Sequence, residues 1–305
     1  MDKKTVLITG GTGLIGRQLS KLLFDKGYII RILSRSKNKG QHNNYQYYNW
    51  NITKKEIDVA ALKNVDYIIH LAGAGIADKR WTATRKKNIV DSRVDSALLL
   101  FNTLQQINHR PLKFIAASGI GYYGAVTSDT IFTEKDPAHI DFLGNTCKLW
   151  ENSSLKFEEA SIPTTILRTG IVLSKKGGAL EKLRQTFKFK FGSALGNGKQ
   201  YMPWIHIDDL CQTYLHSIEN KEFTGIYNTV APTHETNYEF TKALISQHKH
   251  VVLLPNVPSF LLKLLLGSMS EMVLYGSRVS AEKLERIGFK FRYDTLEKAL
   301  EDLIV

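Results

Sequence analysis

The sequence predicts an α/β protein built on a doubly wound parallel sheet, with a smaller, mainly helical α/β region at its C-terminal side. Three observations carry that expectation. Short β-branched runs alternate with longer amphipathic stretches through the first half of the chain. A glycine turn joins the first strand to the first helix. After residue 170 the alternation loosens and glycines break up irregular segments. Alternating strands and helices imply right-handed crossovers and a sheet covered on both faces.

The elements follow in order. "TVLIT" (5–9) reads as a buried strand. Over 14–26, Leu14, Ile15, Leu19, Leu22 and Leu23 fall on one helical face. Strands are expected at 28–34, 45–50, 65–73, 112–118 and 163–170, and helices at 84–107 and 143–161. A helix near 207–220 and a strand near 225–230 return to the sheet. The expected division is a dinucleotide-binding domain over 1–170, with a returning segment near 205–230. A substrate domain takes 171–305, with a distinct tail from about 250. The apolar run "PSFLLKLLLGSM" (258–269) reads first as core packing and second as a partner helix.

Composition bounds the function. No segment reaches the ~18 uninterrupted apolar residues of a membrane span, and the opening residues lack the pattern of a signal peptide. Cys147 and Cys211 form neither a disulfide framework nor a metal-ligand spacing. A reducing cytoplasm is the implied compartment. The net charge of +12 asks for an anionic partner. Its lysines are scattered rather than striped with aromatics, which disfavours nucleic acid and favours a small anionic ligand.

"VLITGGTGLIG" (6–16) is the strongest local signal. A strand, a glycine turn and a helix start form a cradle in which bare backbone approaches a pyrophosphate at a helix N-terminus. Gly10, Gly11, Thr12, Gly13, Leu14, Ile15 and Gly16 are the candidate residues. At the end of the second strand, "ILSRS" puts Ser34 where an NAD site would offer a carboxylate, and Arg35 follows. A 2′-phosphate would be welcomed there, so NADP is expected over NAD. Arg35 also has a plain reading as a solvated loop residue.

With those pieces placed, the chain resembles the extended short-chain dehydrogenase/reductase superfamily. More narrowly, it is similar to the epimerase-family branch, described as nucleoside-diphosphate-sugar epimerases and sometimes as SulA-like cell-division proteins. The resemblance runs almost end to end. It rests on "TGGTGLIGRQL", "LAGAGIADKRWTATRK", "SRV", "SGIGYYG", "DFLGNTCKLWE", "RTGIVLSKKGGAL", "GNGKQYMPWIHIDDL" and the tail "YGSRVSAEKLERIGFKF". It implies a Rossmann-type sheet of about seven strands with an interleaved substrate domain.

The resemblance also implies a site. The superfamily uses a serine after the fifth strand and a Tyr-x-x-x-Lys pair on the next helix. The lysine binds the nicotinamide ribose and lowers the tyrosine pKa. Ser118 fits the serine, with Gly119 as the other candidate position. Lys148 fits the lysine, and the tyrosine position then falls on Gly144. Tyr123 is the substitute proton carrier, with Cys147, Glu134, Asp136 and His206 as further candidates; each also has an ordinary structural reading. Leu71, Ala72, Gly73 and Thr169 join the cofactor set. Lys79, Arg80, Trp81, Arg93, Tyr122, Gln200, Trp204 and His206 form the candidate substrate pocket. Arg93 stands where relatives outside the branch carry a catalytic-set asparagine. No metal site and no membrane contact are expected, and a homodimer is allowed. Two functions remain open: an NADP-dependent epimerase or oxidoreductase of atypical mechanism acting on a small anionic or nucleotide-linked substrate, and a non-catalytic NADP-sensing regulator that binds a partner.

Overall fold

The computed structural model describes residues 3–35, 44–187, 190–248 and 251–304. The first half runs β1 (Thr5–Thr9), α1 (Leu14–Asp25), β2 (Ile29–Ser34), β3 (Gln46–Asn51), β4 (Glu56–Ile57), β5 (Tyr67–His70), α2 (Ala83–Gln106) and β6 (Lys113–Gly119). Next come β7 (Ile131–Phe132), α3 (Phe142–Glu159), β8 (Thr164–Thr169), β9 (Ile171–Leu173), α4 (Gly178–Phe187) and β10 (Phe191–Gly192). Then follow β11 (Trp204–His206), α5 (Ile207–Glu219), β12 (Gly225–Thr229), α6 (Asn237–Ser246) and β13 (Val252–Leu253). The tail holds α7 (Ser259–Leu266), α8 (Glu271–Leu274), β14 (Arg278–Val279), α9 (Glu282–Arg286) and α10 (Leu296–Ile304).

The main sheet has eight strands in the order β12-β8-β6-β5-β1-β2-β3-β4. Seven are parallel; the eighth, β4, is a two-residue antiparallel edge on β3. The chain starts at β1 in the middle, winds outward through β2 and β3, then returns to β5 on the other side of β1. That reversal opens a crevice at the carboxyl ends of β1 and β5, where ligands of such sheets bind.

Alternation within β1 sets the two layers. Val6 and Ile8 pack with Leu19 and Leu23 of α1 and Leu210 and Tyr214 of α5. Leu7 faces the other way, toward Leu100 and Leu104 of α2 and Phe157 of α3. Every β1 residue is buried, which explains the unbroken apolar run of a two-sided parallel strand. A second core joins Leu173, Leu180, Trp204, Phe240, Leu244, Leu296 and Leu300 from the segments after β8.

The expected core packing of residues 258–269 is overturned. In α7 only Leu262 is buried, while Phe260, Leu264 and Leu265 are 66%, 72% and 68% exposed. The remainder of the tail is integral. Its β14 pairs in parallel with β7, and α10 packs on α6 within the second core.

Candidate functional site at the carboxyl edge of the sheet

The glycine turn is shaped by steric necessity at two positions. Gly10 has φ +68°, and a Cβ there would stand 3.0 Å from the Leu71 carbonyl. A Cβ on Gly16 would lie 2.3 Å from Gly10 O. Glycine alone lets β1, α1 and the end of β5 approach this closely. Gly13 is the N-cap of α1 and makes no side-chain cap bond, so the helix keeps unfilled N–H groups and a positive dipole end beside the crevice. These residues fit a dinucleotide pyrophosphate. Ser34 ends β2 on the same edge, half-buried, and Arg35 follows exposed. Leu14 is overhung by Gly177 and Gly178 at the start of α4, so that segment lies against the cradle.

A buried hydrogen-bond chain fixes the neighbouring turn after β5. Thr9 Oγ1 accepts from the Leu71 and Ala72 amides, each at 3.1 Å, and lies 2.8 Å from His70 Nδ1. His70 Nε2 lies 3.1 Å from Ser96 Oγ on α2. Ser96 itself donates to the Ser92 and Arg93 carbonyls. Burial lowers the His70 pKa to about 4, so the ring is neutral. The chain then reads in one direction: Thr9 donates to Nδ1, and Nε2–H donates to Ser96.

The face that α3 turns to β6 is not the one expected. Asp141 caps the helix through the Gly144 amide at 2.8 Å. A Cβ on Gly144 would sit 2.2 Å from His139 O. Gly144 is therefore a close-packing residue under the 139 backbone rather than an emptied tyrosine position. Lys148 is exposed. The residues that meet the strand end are Leu143 and Cys147. Built Cβ atoms on Gly121 and Gly119 would lie 3.4 Å from Leu143 Cβ and 3.9 Å from Cys147 Sγ. Leu143 and Cys147 are four apart, so they occupy the Tyr-x-x-x-Lys spacing on the inward face. Neither supplies a proton near neutral pH, since burial pushes the Cys147 thiol up to about 12.

Ser118 and Tyr123 belong to a buried network instead. Ser118 donates to Glu151 Oε1 at 2.7 Å. Arg168 donates to both oxygens of Glu151, from Nε at 2.9 Å and from Nη2 at 2.8 Å. Its Nη1 donates to the Tyr123 hydroxyl at 3.0 Å, which donates on to Asn228 Oδ1 at 2.7 Å. Glu134 Oε1 accepts from the Asn228 amide. Arg168 and Tyr123 are each 1% exposed, and burial raises the Tyr123 pKa. The network ties β6, α3, β8, β12 and the 134 loop together and leaves both residues without access to the crevice. Tyr122 is half-buried, its ring centre 3.4 Å from the Arg168 guanidinium carbon. Thr169, at the end of β8, stays partly open beside Thr229. Asp136 accepts from Thr133 within its own loop.

The expected pocket residues divide. Arg93 projects from α2 under Gly73, and Lys79 and Arg80 are exposed at the mouth. Arg80 reaches the Leu264 carbonyl of α7, and Lys182 of α4 reaches Ala77 O, both at 3.3 Å. The 73–82 loop is thus strapped to the substrate side. Trp81 is a buried anchor of that loop, bonded to Ile76 O and edge-on to Phe142. Three residues of the later motif are corrected to packing roles. Trp204 is fully buried and donates to Glu235. Gln200 donates to the Leu195 and Val273 carbonyls. His206 caps α5 and stacks on Tyr293 at 3.7 Å. All three face the second core and the tail.

The profile of the NAD dependent epimerase/dehydratase family matches residues 6–229. The chain belongs to that family. A domain of unknown function, DUF1731, matches residues 257–303 of this epimerase-family chain. An epimerase family protein of Staphylococcus saprophyticus is 37% identical over 303 residues, 99% of each chain. Among solved structures, human epimerase family protein SDR39U1, determined with NADPH, superposes with a TM-score of 0.86 at 28% identity, covering 98% of this chain and 99% of that one. A nucleoside-diphosphate sugar epimerase from Corynebacterium glutamicum gives 0.80 at 28% identity, covering 99% of this chain and 59% of that one. The epimerase family fold follows.

Signals for the missed residues were present. Arg168 is a charge inside a buried strand, one residue from its end, and Glu151 lies four residues beyond Cys147 on the inward face. Buried charges of opposite sign usually pair.

Proposed function

We propose that this chain binds NADP(H) along the carboxyl edge of its sheet and works as a slow epimerase or oxidoreductase on a small anionic or nucleotide-linked substrate. The carrying observation is the cradle: glycines at 10 and 16 that admit no Cβ, an uncapped α1, and Ser34–Arg35 in place of an acid. The NADPH in the human relative supports the same choice of dinucleotide. Bound there, a nicotinamide dinucleotide supplies or accepts hydride. The residues for it are Gly10, Gly11, Thr12, Gly13, Leu14, Ile15 and Gly16 at the pyrophosphate, Ser34 and Arg35 at the 2′-phosphate, and Leu71, Ala72, Gly73 and Thr169 farther along the edge. Lys79 and Arg80 give the mouth its attraction for anions.

Leu143 and Cys147 offer no acid at the Tyr-x-x-x-Lys spacing, and Glu151 on the same face is held by Arg168 and Ser118, so a proton must come from water in the site. A positioned acid–base group is worth about 10²–10⁴-fold, which makes turnover slow. The same observation favours a second reading, an NADP-dependent regulator that binds a partner without turnover.

Calorimetry with NADPH and NADH tests the first part. Tighter binding of NADPH, reversed toward NADH by Arg35→Glu, is the expected result; no heat with either dinucleotide refutes the reading. Loss or gain of nicotinamide absorbance across a panel of carbonyl and sugar-nucleotide substrates then separates enzyme from regulator.

A further inference from the structure

In the superfamily a lysine on the helix after the fifth strand brings one positive charge to the nicotinamide ribose. The position facing the strand end here is Cys147, a buried and neutral thiol, and Lys148 beside it is exposed. Yet the place is not without a cation. Arg93 enters it from α2. A Cβ built on Gly73 would lie 3.1 Å from its guanidinium carbon. The guanidinium lies over the Trp150 ring at 4.8 Å, three residues along α3 from Cys147. Its Nη1 is held by the carbonyls of Ala74 at 3.0 Å and Ile89 at 2.9 Å.

That geometry is unusual for a group with only a packing role. A guanidinium has five N–H donors, and among the described residues only Nη1 is engaged by the protein. Neither Nε nor Nη2 is among the buried polar atoms left without a partner. Those two nitrogens are therefore not sealed off in the protein interior. Among the described residues no carboxylate comes within ion-pairing distance of Arg93. A like charge, Arg85, also acts on it. A half-buried cation with fixed orientation, free donors and no counter-ion is arranged to receive a ligand.

We infer that Arg93 is the cationic anchor for the nicotinamide-ribose end of the dinucleotide, replacing from α2 the lysine that the superfamily supplies from α3. The inference rests on the NADP reading proposed above. The charge has moved from one helix to its neighbour and stands beside the turn that follows β5. Arg93 donates to the ribose hydroxyls through Nε and Nη2. The loop carbonyl of Ala74 holds the other edge, so the 73–82 strap and the anchor move as one unit.

The test compares two ligands that share the adenine half. NADPH is titrated by nicotinamide fluorescence, and 2′,5′-ADP, which lacks the nicotinamide ribose, by calorimetry. Arg93→Met should weaken NADPH about 10–100-fold, the worth of one charge-assisted hydrogen bond, with 2′,5′-ADP unchanged within twofold. Arg93→Gln keeps donors for the Ala74 and Ile89 carbonyls, and it should show the same selective loss if the methionine variant does not fold. Adding Cys147→Lys to either variant should recover a large part of the NADPH affinity. Lys148→Met should change neither ligand. The inference is overturned if both ligands weaken equally, if NADPH binding survives both Arg93 variants, or if Lys148→Met carries the loss. Failure of the wild-type protein to bind either ligand would instead bring down the NADP reading itself.

Discussion

Arg168→Met removes the guanidinium from the centre of the buried network. The side chain is 1% exposed and gives three hydrogen bonds of 2.8–3.0 Å, two to Glu151 and one to Tyr123. Without it Glu151, itself 3% exposed, keeps only the Ser118 hydroxyl. Breaking a buried ion pair from one side costs about 3–5 kcal/mol, because a charge is left uncompensated. The unfolding entropy is about 2.1 cal/mol/K per residue, so 305 residues give about 0.6 kcal/mol/K. The midpoint of thermal unfolding should therefore fall by about 5–8 °C. Calorimetry at neutral pH measures it directly. Glu151→Leu alone should be comparably harmful. The double variant should be less harmful than the sum, since it leaves no lone charge. A fall under about 2 °C for Arg168→Met, or strictly additive singles, would show that the pair is solvated rather than sealed.

Gly144→Ala forces a Cβ against His139 O and should cost about 1–3 kcal/mol; Gly144→Tyr should lower stability further and raise no turnover, and a gain in turnover would restore the tyrosine-position reading of Gly144. His70, held by burial at a pKa of about 4 against the ordinary 6.5 of a histidine, makes stability depend on acid. Between those values the unfolded chain takes up a proton that the folded chain refuses, so stability falls by about 3 kcal/mol as pH drops from 6.5 to 4. Denaturant titrations across that window should show the slope, and His70→Gln should lack that share of it.

The parts legible in the sequence are those set by local sterics and period. "TGGTGLIG" could be read because glycine tolerance is a property of a few adjacent backbones. The strands could be read because β1 is buried on both faces and says so in five consecutive residues. The rotation of α3 could not. Gly144 looks like a deleted side chain until the 139 segment is seen to pass 2.2 Å from where its Cβ would be. A shift of one residue on a helix is about 100°, enough to carry the argument from Cys147 to Lys148. Gln200, Trp204 and His206 were misplaced for the opposite reason. They carry the chemistry of a site, but their partners Val273, Glu235 and Tyr293 lie some 30 to 90 residues away in sequence. Nothing near 200 announces those contacts.

Asp209, at the start of α5, aims its buried carboxylate at the chain's far end, where the amides of Arg292 and Tyr293 each donate to it at 2.9 Å. Those amides lie inside the 257–303 match, while Asp209 lies inside the 6–229 match. Two segments that sequence comparison treats as separate modules are therefore riveted at one shared carboxylate. Cutting away the second would not release a working first half. It would strip Asp209 of both amide partners and unroof Trp204 and Leu173, so the two matched segments fold as a single piece.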